Sequence, residues 1–436
     1  MFINTKEKII NYFNSGIKKK LLIGVENEKF LFSKKSNKRA SYTEVKKVLS
    51  LLKSKFNWKP IKEKNNLIGL SHRGKSISLE PGNQIELAGD KLKSIHEVCF
   101  EGNLFQNQLN DVCEKVGLES IAIGYDPYTK LNKAPNNPKA RYKIMTKEMP
   151  KGGKLSLNMM YQTAGTQINL DYLSENDFIK KFKLAASLTP LSIGIFANSP
   201  VKEKKLSRYL SYRSKVWQST SRGGLPKIFL ENLDFEKYAD FILNKPLLFI
   251  NKGKKVIAGK GKTFQDYMRG NIRDIKNQKP KKKDLEVHLS TIFTELRLKK
   301  YIEIRSLDAC EWDCHCAGPA FFTGLIYSSL EESLDIIKKW KTNDILNAYI
   351  EAPKKGLKTQ INNKSIRYWG NVFLKLSKKG LIKRNVINKK KLNEAIFLGS
   401  VEKILKYFFL FSKKITFFDL AYTFPFIKLK SFVSYQ

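Results

Sequence analysis

Five glutamates in short alternating segments are the residues of this 436-residue chain best suited to chemistry. Side chains alternate across a strand, so residues two apart share a face. In 22–30 (LIGVENEKF) that puts Glu26 and Glu28 together. In 80–87 (EPGNQIEL) it pairs Gln84 with Glu86, and Glu80 stands just before a Pro-Gly break. In 166–171 (TQINLD) Gln167, Asn169 and Asp171 oppose Ile168 and Leu170. In 294–306 Glu295, Arg297, Lys299, Tyr301, Glu303 and Arg305 oppose Leu296, Leu298, Ile302 and Ile304. For one such strand, the polar outer face of a half-buried sheet is the ordinary reading. Four weaken it, because the chain has only 40 acids against 81 bases. Carboxylates meeting on one concave face repel unless cations neutralise them. Mg²⁺, which usually arrives with nucleotide phosphates, is the natural partner. The pattern predicts a metal–nucleotide enzyme on an antiparallel sheet.

The elements that must carry these residues are legible from periodicity. Helices are expected over 41–58, 93–117, 175–190, 329–341 and 392–409, the first and third opening at a Ser. Strands are expected over 20–31, 76–87, 119–125, 164–171, 247–251 and 294–306. Without regular βαβ alternation, the order favours α+β with a largely antiparallel sheet. No internal repeat or low-complexity linker appears. We therefore expect one catalytic domain over 1–436, with a motif-bearing core at about 20–330. Residues 331–436 form a helical, aromatic-rich part without a motif.

Hydrophobic residues at 42% and aromatics at 12% exclude whole-chain disorder, collagen and coiled coil. A net charge of +41 invites nucleic acid as a partner. Only 12 of the 81 basic residues are Arg, however, and the Lys are scattered. Phosphate and base readers favour the guanidinium fork. Such a reader also has no use for Glu26, Glu28, Glu80, Glu86 and Glu303. We expect small-molecule substrates, no nucleic acid and no membrane, and a monomer or weak homodimer. Five Cys do not make a disulfide framework, and the odd count suits a reducing compartment. With Met1–Asn14 too charged for a signal peptide, a cytoplasmic location is expected. Lysines interrupt the Phe-rich stretch Leu405–Phe432, which reads as core or edge structure.

GVENEKF (24–30), ISLEPGNQIELAG (77–89), RYKIM (141–145), MMYQTAGTQINLD (159–171), IFANSP (195–200), LSYRSKVW (210–217) and HLSTIFTELRLKKYIEIRSLD (288–308) together resemble glutamate–cysteine ligase of the plant and proteobacterial type. The ordered set covers about 70% of the chain. The resemblance implies a fold like the glutamine synthetase catalytic domain, a cup-shaped antiparallel sheet with helices outside. It implies joining of the L-glutamate γ-carboxyl to the L-cysteine amine through γ-glutamyl phosphate, the first step of glutathione synthesis, with ATP as co-substrate. By the family pattern, two or three Mg²⁺ fall to Glu26, Glu28, Glu80, Glu86 and Glu303, with Gln167 or Asn169 nearby. Arg305, two residues past Glu303, is the expected holder of the transferring phosphoryl group. Arg213, Trp217, Arg222, Arg141, Tyr142, Met160 and Arg297 are expected around substrate or nucleotide. His288 fits a nucleotide contact or a structural hydrogen bond equally. A related ligase with another amine acceptor remains the alternative within the enzyme class.

The chain departs from the family pattern twice. Relatives read WxDTDxxRTG where this chain has Trp217-Gln-Ser-Thr-Ser-Arg222, without either acid. The usual RGAD is Arg305-Ser-Leu-Asp308 here. GKGKT (259–263) lacks the first glycine of a P-loop, since position 256 is Val. Cys310, Cys314, His315 and Cys316 are too crowded for the separated ligand pairs of a structural zinc site, and read as buried thiols. His72 and His96 read as structural.

Overall fold

The computed structural model describes residues 1–253, 255–275, 278–311, 315–387, 394–399 and 401–402. The expected C-terminal helix over 392–409 and the Leu405–Phe432 stretch fall largely outside these residues. Within that helix, the described residues form a 3₁₀ turn at Glu394–Leu398 and are helical at 399 and 401–402.

The nine strands that frame the site are β1 (Ile23–Ser33), β2 (Lys59–Glu63), β3 (Asn66–His72), β4 (Lys75–Leu79), β5 (Ile85–Ala88), β6 (Leu118–Ile121), β7 (Gly165–Leu170), β8 (Leu296–Leu298) and β9 (Ile302–Asp308). They form one sheet in the order β8-β9-β7-β1-β5-β4-β3-β2, with β6 on the far end of β1. Every pairing in this sheet is antiparallel. The α+β expectation with a mainly antiparallel sheet therefore holds.

Two expected strands are each a pair. Residues 76–87 turn at Glu80–Asn83, where Asn83 adopts φ 60°, so β4 and β5 form a hairpin. Residues 294–306 turn at 299–301, folding β8 back onto β9. Alternation alone could not expose the second turn. In an antiparallel pair whose partner numbers sum to an even value, like parity stays on one face through the reversal, and here Arg297 opposes Glu303.

The relevant helices are α1 (Tyr42–Phe56), α2 (Ile95–Val116), α3 (Ala140–Glu148), α4 (Ser156–Gln162), α5 (Glu175–Ser187), α6 (Tyr212–Gln218), α7 (Ala317–Ser328), α8 (Thr342–Lys355) and α9 (Ile366–Ile387). Helix α1 starts at a capping box of Ser41 and Glu44 and buries Val45, Val48, Leu49 and Leu52, one stripe at helical spacing. Helix α2 is capped by Ser94 and stops at Gly117, whose φ of 73° needs no Cβ. Both pack on the apolar face of β3, β4 and β5 through Leu70, Ile77, Leu79, Ile85 and Leu87. A larger core joins Val25, Ile168, Leu170, Leu296, Ile302 and Ile304 to Phe321, Phe322 and Leu325 of α7. The sheet thus buries its apolar side against helices and leaves its polar side for the site. Among the described residues no helix is long and apolar enough to cross a membrane.

Candidate active site

Register brings the polar residues together. On β1, Glu28 stands opposite Glu86 of β5 and Glu26 opposite Gln167 of β7. Asn169 of β7 stands opposite Gly24 on one side and Glu303 of β9 on the other. Opposed residues in antiparallel strands point to the same face. Segments up to 277 residues apart in sequence therefore present Glu26, Glu28, Glu86, Gln167, Asn169 and Glu303 side by side. Glu80 joins from the β4–β5 turn, within hydrogen-bond reach of Ser78, whose hydroxyl also donates to Glu86 at 3.3 Å.

The acids form an anionic group. Gln167 Nε2 donates to Glu28 Oε1 at 2.7 Å, the Gly165 amide to Glu28 Oε2 at 2.7 Å, and Asn169 Nδ2 to Glu26 Oε1 at 2.9 Å. Burial, then the charge of Glu80, pushes Glu28 up to about 7 against the pull of Arg213 and Arg305. Burial with Glu80, Glu26 and Glu28 raises Glu86 well above the usual range. Lys139 partly offsets this charge and is itself pushed down to about 8, chiefly by burial. The amide oxygens of Gln167 and Asn169 are buried without a hydrogen-bond partner. Half-buried carboxylates that repel one another, beside buried amide oxygens lacking donors, fit a hard cation that takes oxygen ligands.

Glu303 belongs to a different group. Arg297 grips it at two points, Nε to Oε2 at 2.7 Å and Nη2 to Oε1 at 2.6 Å. Arg305 Nη1 also donates to Oε1, and Lys299 Nζ lies 3.1 Å from Oε2. Burial alone would raise this carboxyl, but Arg297, Lys299 and Arg305 outweigh it and hold it well below the usual range. Both oxygens are thus engaged by cations. In this structure Glu303, expected as a metal ligand with the other four acids, anchors an arginine cluster.

Arg213 on α6 completes that cluster. It is 1% exposed, donates through Nη2 to the Arg305 carbonyl at 2.8 Å, and lies 3.9 Å from Asp308. The Arg213 and Arg305 guanidiniums sit 4.9 and 5.3 Å from the ring of Trp217. A Cβ at position 165 would fall 2.7 Å from Arg213 Nη2, so glycine there makes room for the guanidinium.

Other expected residues divide between site and scaffold. Tyr142 of α3 reaches the Leu79 carbonyl at 2.9 Å and Glu80 Oε1 at 3.5 Å, and Arg141 donates to its hydroxyl at 2.8 Å. Met160 of α4 is buried in one apolar cluster with Trp217 and Tyr212. Arg222 instead ties down the segment before β8, donating to the Pro246 and Thr291 carbonyls at 2.8 and 3.0 Å. His288 stacks on Phe264 at 5.0 Å, pairs with the Ile242 carbonyl at 2.8 Å, and is pushed down to about 4 by burial. Neither has a recorded contact with the carboxylate or arginine groups.

Two residues at the site carried no expected role. Glu295, one of the alternating acids, is fully buried, and Tyr349 of α8 donates to its Oε1 at 2.9 Å. Parity marked Glu295; nothing in sequence marked Tyr349. Among the described residues, the expectation of unpaired thiols also fails for Cys99 and Cys316. Cys99 of α2 and Cys316, just before α7, form a disulfide across 217 residues with Cα atoms 5.7 Å apart. Spacing could not reveal it, because the fold alone brings α2 beside α7.

Comparison with known proteins agrees with this geometry. Residues 22–407 match the family described as glutamate–cysteine ligase family 2. Chloroplastic glutamate–cysteine ligase B of Oryza sativa subsp. japonica is 39% identical over 408 residues, 92% of this chain and 81% of that protein. The chloroplastic enzymes of Nicotiana tabacum and Arabidopsis thaliana are 38% and 37% identical over 409 residues, each covering 92% of this chain and 77% of theirs. These relatives are chloroplastic, which overturns the cytoplasmic expectation. In fold, the chain is similar to the crystal structure of glutamate–cysteine ligase from Francisella tularensis in complex with AMP. That likeness has a TM-score of 0.51 and 14% identity, over 89% of this chain and 82% of that one. An antiparallel sheet whose polar face gathers acids beside arginines, in a sequence more than a third identical to plant enzymes over nearly its whole length, makes this chain a member of the glutamate–cysteine ligase family.

Proposed function

We propose that the protein joins the γ-carboxyl of L-glutamate to the amine of L-cysteine at the expense of ATP, giving γ-glutamylcysteine, ADP and phosphate. In the family this is the first step of glutathione synthesis. The observation that carries the reading is the meeting, on one sheet face, of a mutually repelling acid group with a cluster of buried arginines. A carboxylate is a poor acyl donor, so it must first be phosphorylated. Phosphoryl transfer asks for positioning and charge neutralisation.

Glu26, Glu28, Glu80 and Glu86, with the carbonyl oxygens of Gln167 and Asn169, are the residues that would hold Mg²⁺, as two or three ions. Bound there, Mg²⁺ supplies charge neutralisation to phosphate and carboxylate oxygens. Arg305 and Arg213 are suited to hold the phosphoryl group and the carboxylate it joins, and Trp217 stacks on both guanidiniums. Arg297 and Glu303 fix Arg305 in place. Tyr142 and Arg141 line the Glu80 side, and Met160 the apolar wall.

The test is direct. Purified protein with ATP, Mg²⁺, glutamate and cysteine is expected to yield a product with the mass of γ-glutamylcysteine. ADP release with cysteine is compared with release with other amines; indifference to the amine rejects cysteine as the acceptor.

A further inference from the structure

Glu295 lies across the hairpin from Arg305. The Arg305 amide donates to the Glu295 carbonyl at 2.8 Å, one step beyond the last β8–β9 pair, so the two side chains share the polar face. One carboxylate oxygen takes the Tyr349 hydroxyl. The other, Oε2, is buried and has no partner. Arg213 Nε and Nη1 and Arg305 Nε are likewise buried without a hydrogen-bond partner, with Asp308 3.9 Å from Arg213 Nη1. A buried polar group left without a hydrogen bond is costly, and more so when charged, so four at one site call for a ligand. The ligand must bring acceptors for the guanidiniums and a donor for the carboxylate. The phosphoryl and carboxylate oxygens placed on these arginines above supply the acceptors, and the ammonium of the acceptor amino acid supplies the donor.

We propose that Glu295, held by Tyr349, accepts the proton that the acceptor amino acid must lose before its nitrogen can attack. This rests on the ligase reading above. The ammonium gives one proton to Glu295 Oε2. The freed lone pair forms the C–N bond to the γ-carbonyl carbon while the C–O bond to phosphate breaks. The second nitrogen proton leaves with the phosphate. The charged and titratable groups acting on Glu295 are Arg213 of α6, Arg305 and Asp308 of β9, and Tyr349 of α8. Burial, the strongest of these influences, raises the carboxyl, which makes it a better base.

Hydroxylamine separates proton removal from activation, because it is largely neutral near pH 7 and needs no base. Full-length wild type, Glu295→Gln and Tyr349→Phe are assayed with glutamate, ATP and Mg²⁺, using either cysteine or hydroxylamine as nucleophile. Glu295→Gln is expected to lose about 10²–10⁴-fold in kcat/KM for cysteine, the usual worth of a general base. It should still form γ-glutamyl hydroxamate, and its deficit with cysteine should narrow as pH rises. Tyr349→Phe keeps the carboxylate but removes a hydrogen bond that lowers its pKa. The acid limb of its cysteine profile should move to higher pH. Equal loss with both nucleophiles, no loss with cysteine, or an unmoved Tyr349→Phe profile overturns the assignment. A wild type that makes neither product overturns the ligase reading, and the assignment with it.

Discussion

Arg297 and Glu303 face one another across the β8–β9 hairpin in a two-point ion pair, with nitrogen–oxygen distances of 2.7 and 2.6 Å. Both are buried, and Arg305 and Lys299 share the same carboxylate. Three cations thus depend on one anion in a place with little water. Breaking a buried pair from one side typically costs about 3–5 kcal/mol. We expect Glu303→Gln to lower the thermal midpoint markedly and to abolish turnover. Arg297→Lys, which keeps the charge but not the fork, should lie between wild type and Glu303→Gln. A melting curve beside a turnover assay checks both.

Glu28 differs, because its neighbours are acids. Replacing it by Gln removes a repelling charge, so the fold should be kept or slightly stabilised without divalent ions. Turnover should fall at least about 10²–10³-fold, the usual cost of losing one electrostatic clamp. Arg305→Ala should lose turnover by a similar factor. Wild-type-like turnover in either variant counts against the site.

The acid group makes stability depend on pH. Glu28 and Glu86 have folded-state values above their ordinary 4.5, so the folded protein holds their protons more tightly than the unfolded chain does. Their contribution is complete below about 4.5 and is lost as pH rises toward about 7 for Glu28. Without divalent cations, the melting temperature should therefore fall over that window, relative to Glu28→Gln. Millimolar Mg²⁺ should restore it, most strongly at the upper end. A Mg²⁺ effect equal in wild type and Glu28→Gln would argue against ion binding there.

The Cys99–Cys316 disulfide closes a loop of 217 residues. Removing a native cross-link from a small domain typically costs about 2–5 kcal/mol, chiefly by freeing the unfolded chain. Reduction should lower the melting temperature of wild type by more than that of Cys99→Ser. Equal shifts in the two proteins would place the effect elsewhere.

The sequence by itself determined which residues share a face. Alternation grouped Glu26 with Glu28, and Glu295 with Glu303 and Arg305, because the period of a strand is local and survives a hairpin reversal. The Ser start at 41 and the apolar spacing of 93–117 marked α1 and α2 by the same local chemistry. Only the tertiary structure decided which carboxylates are neighbours of acids and which of arginines. Glu28 and Glu303 look alike in sequence, yet one is pushed up by burial and Glu80 while the other is held down by three cations. Strand order and register set those surroundings, and they depend on pairings between segments hundreds of residues apart. Tyr349 against Glu295 and Cys99 against Cys316 arise in the same way, from elements distant in sequence that only the folded chain brings together.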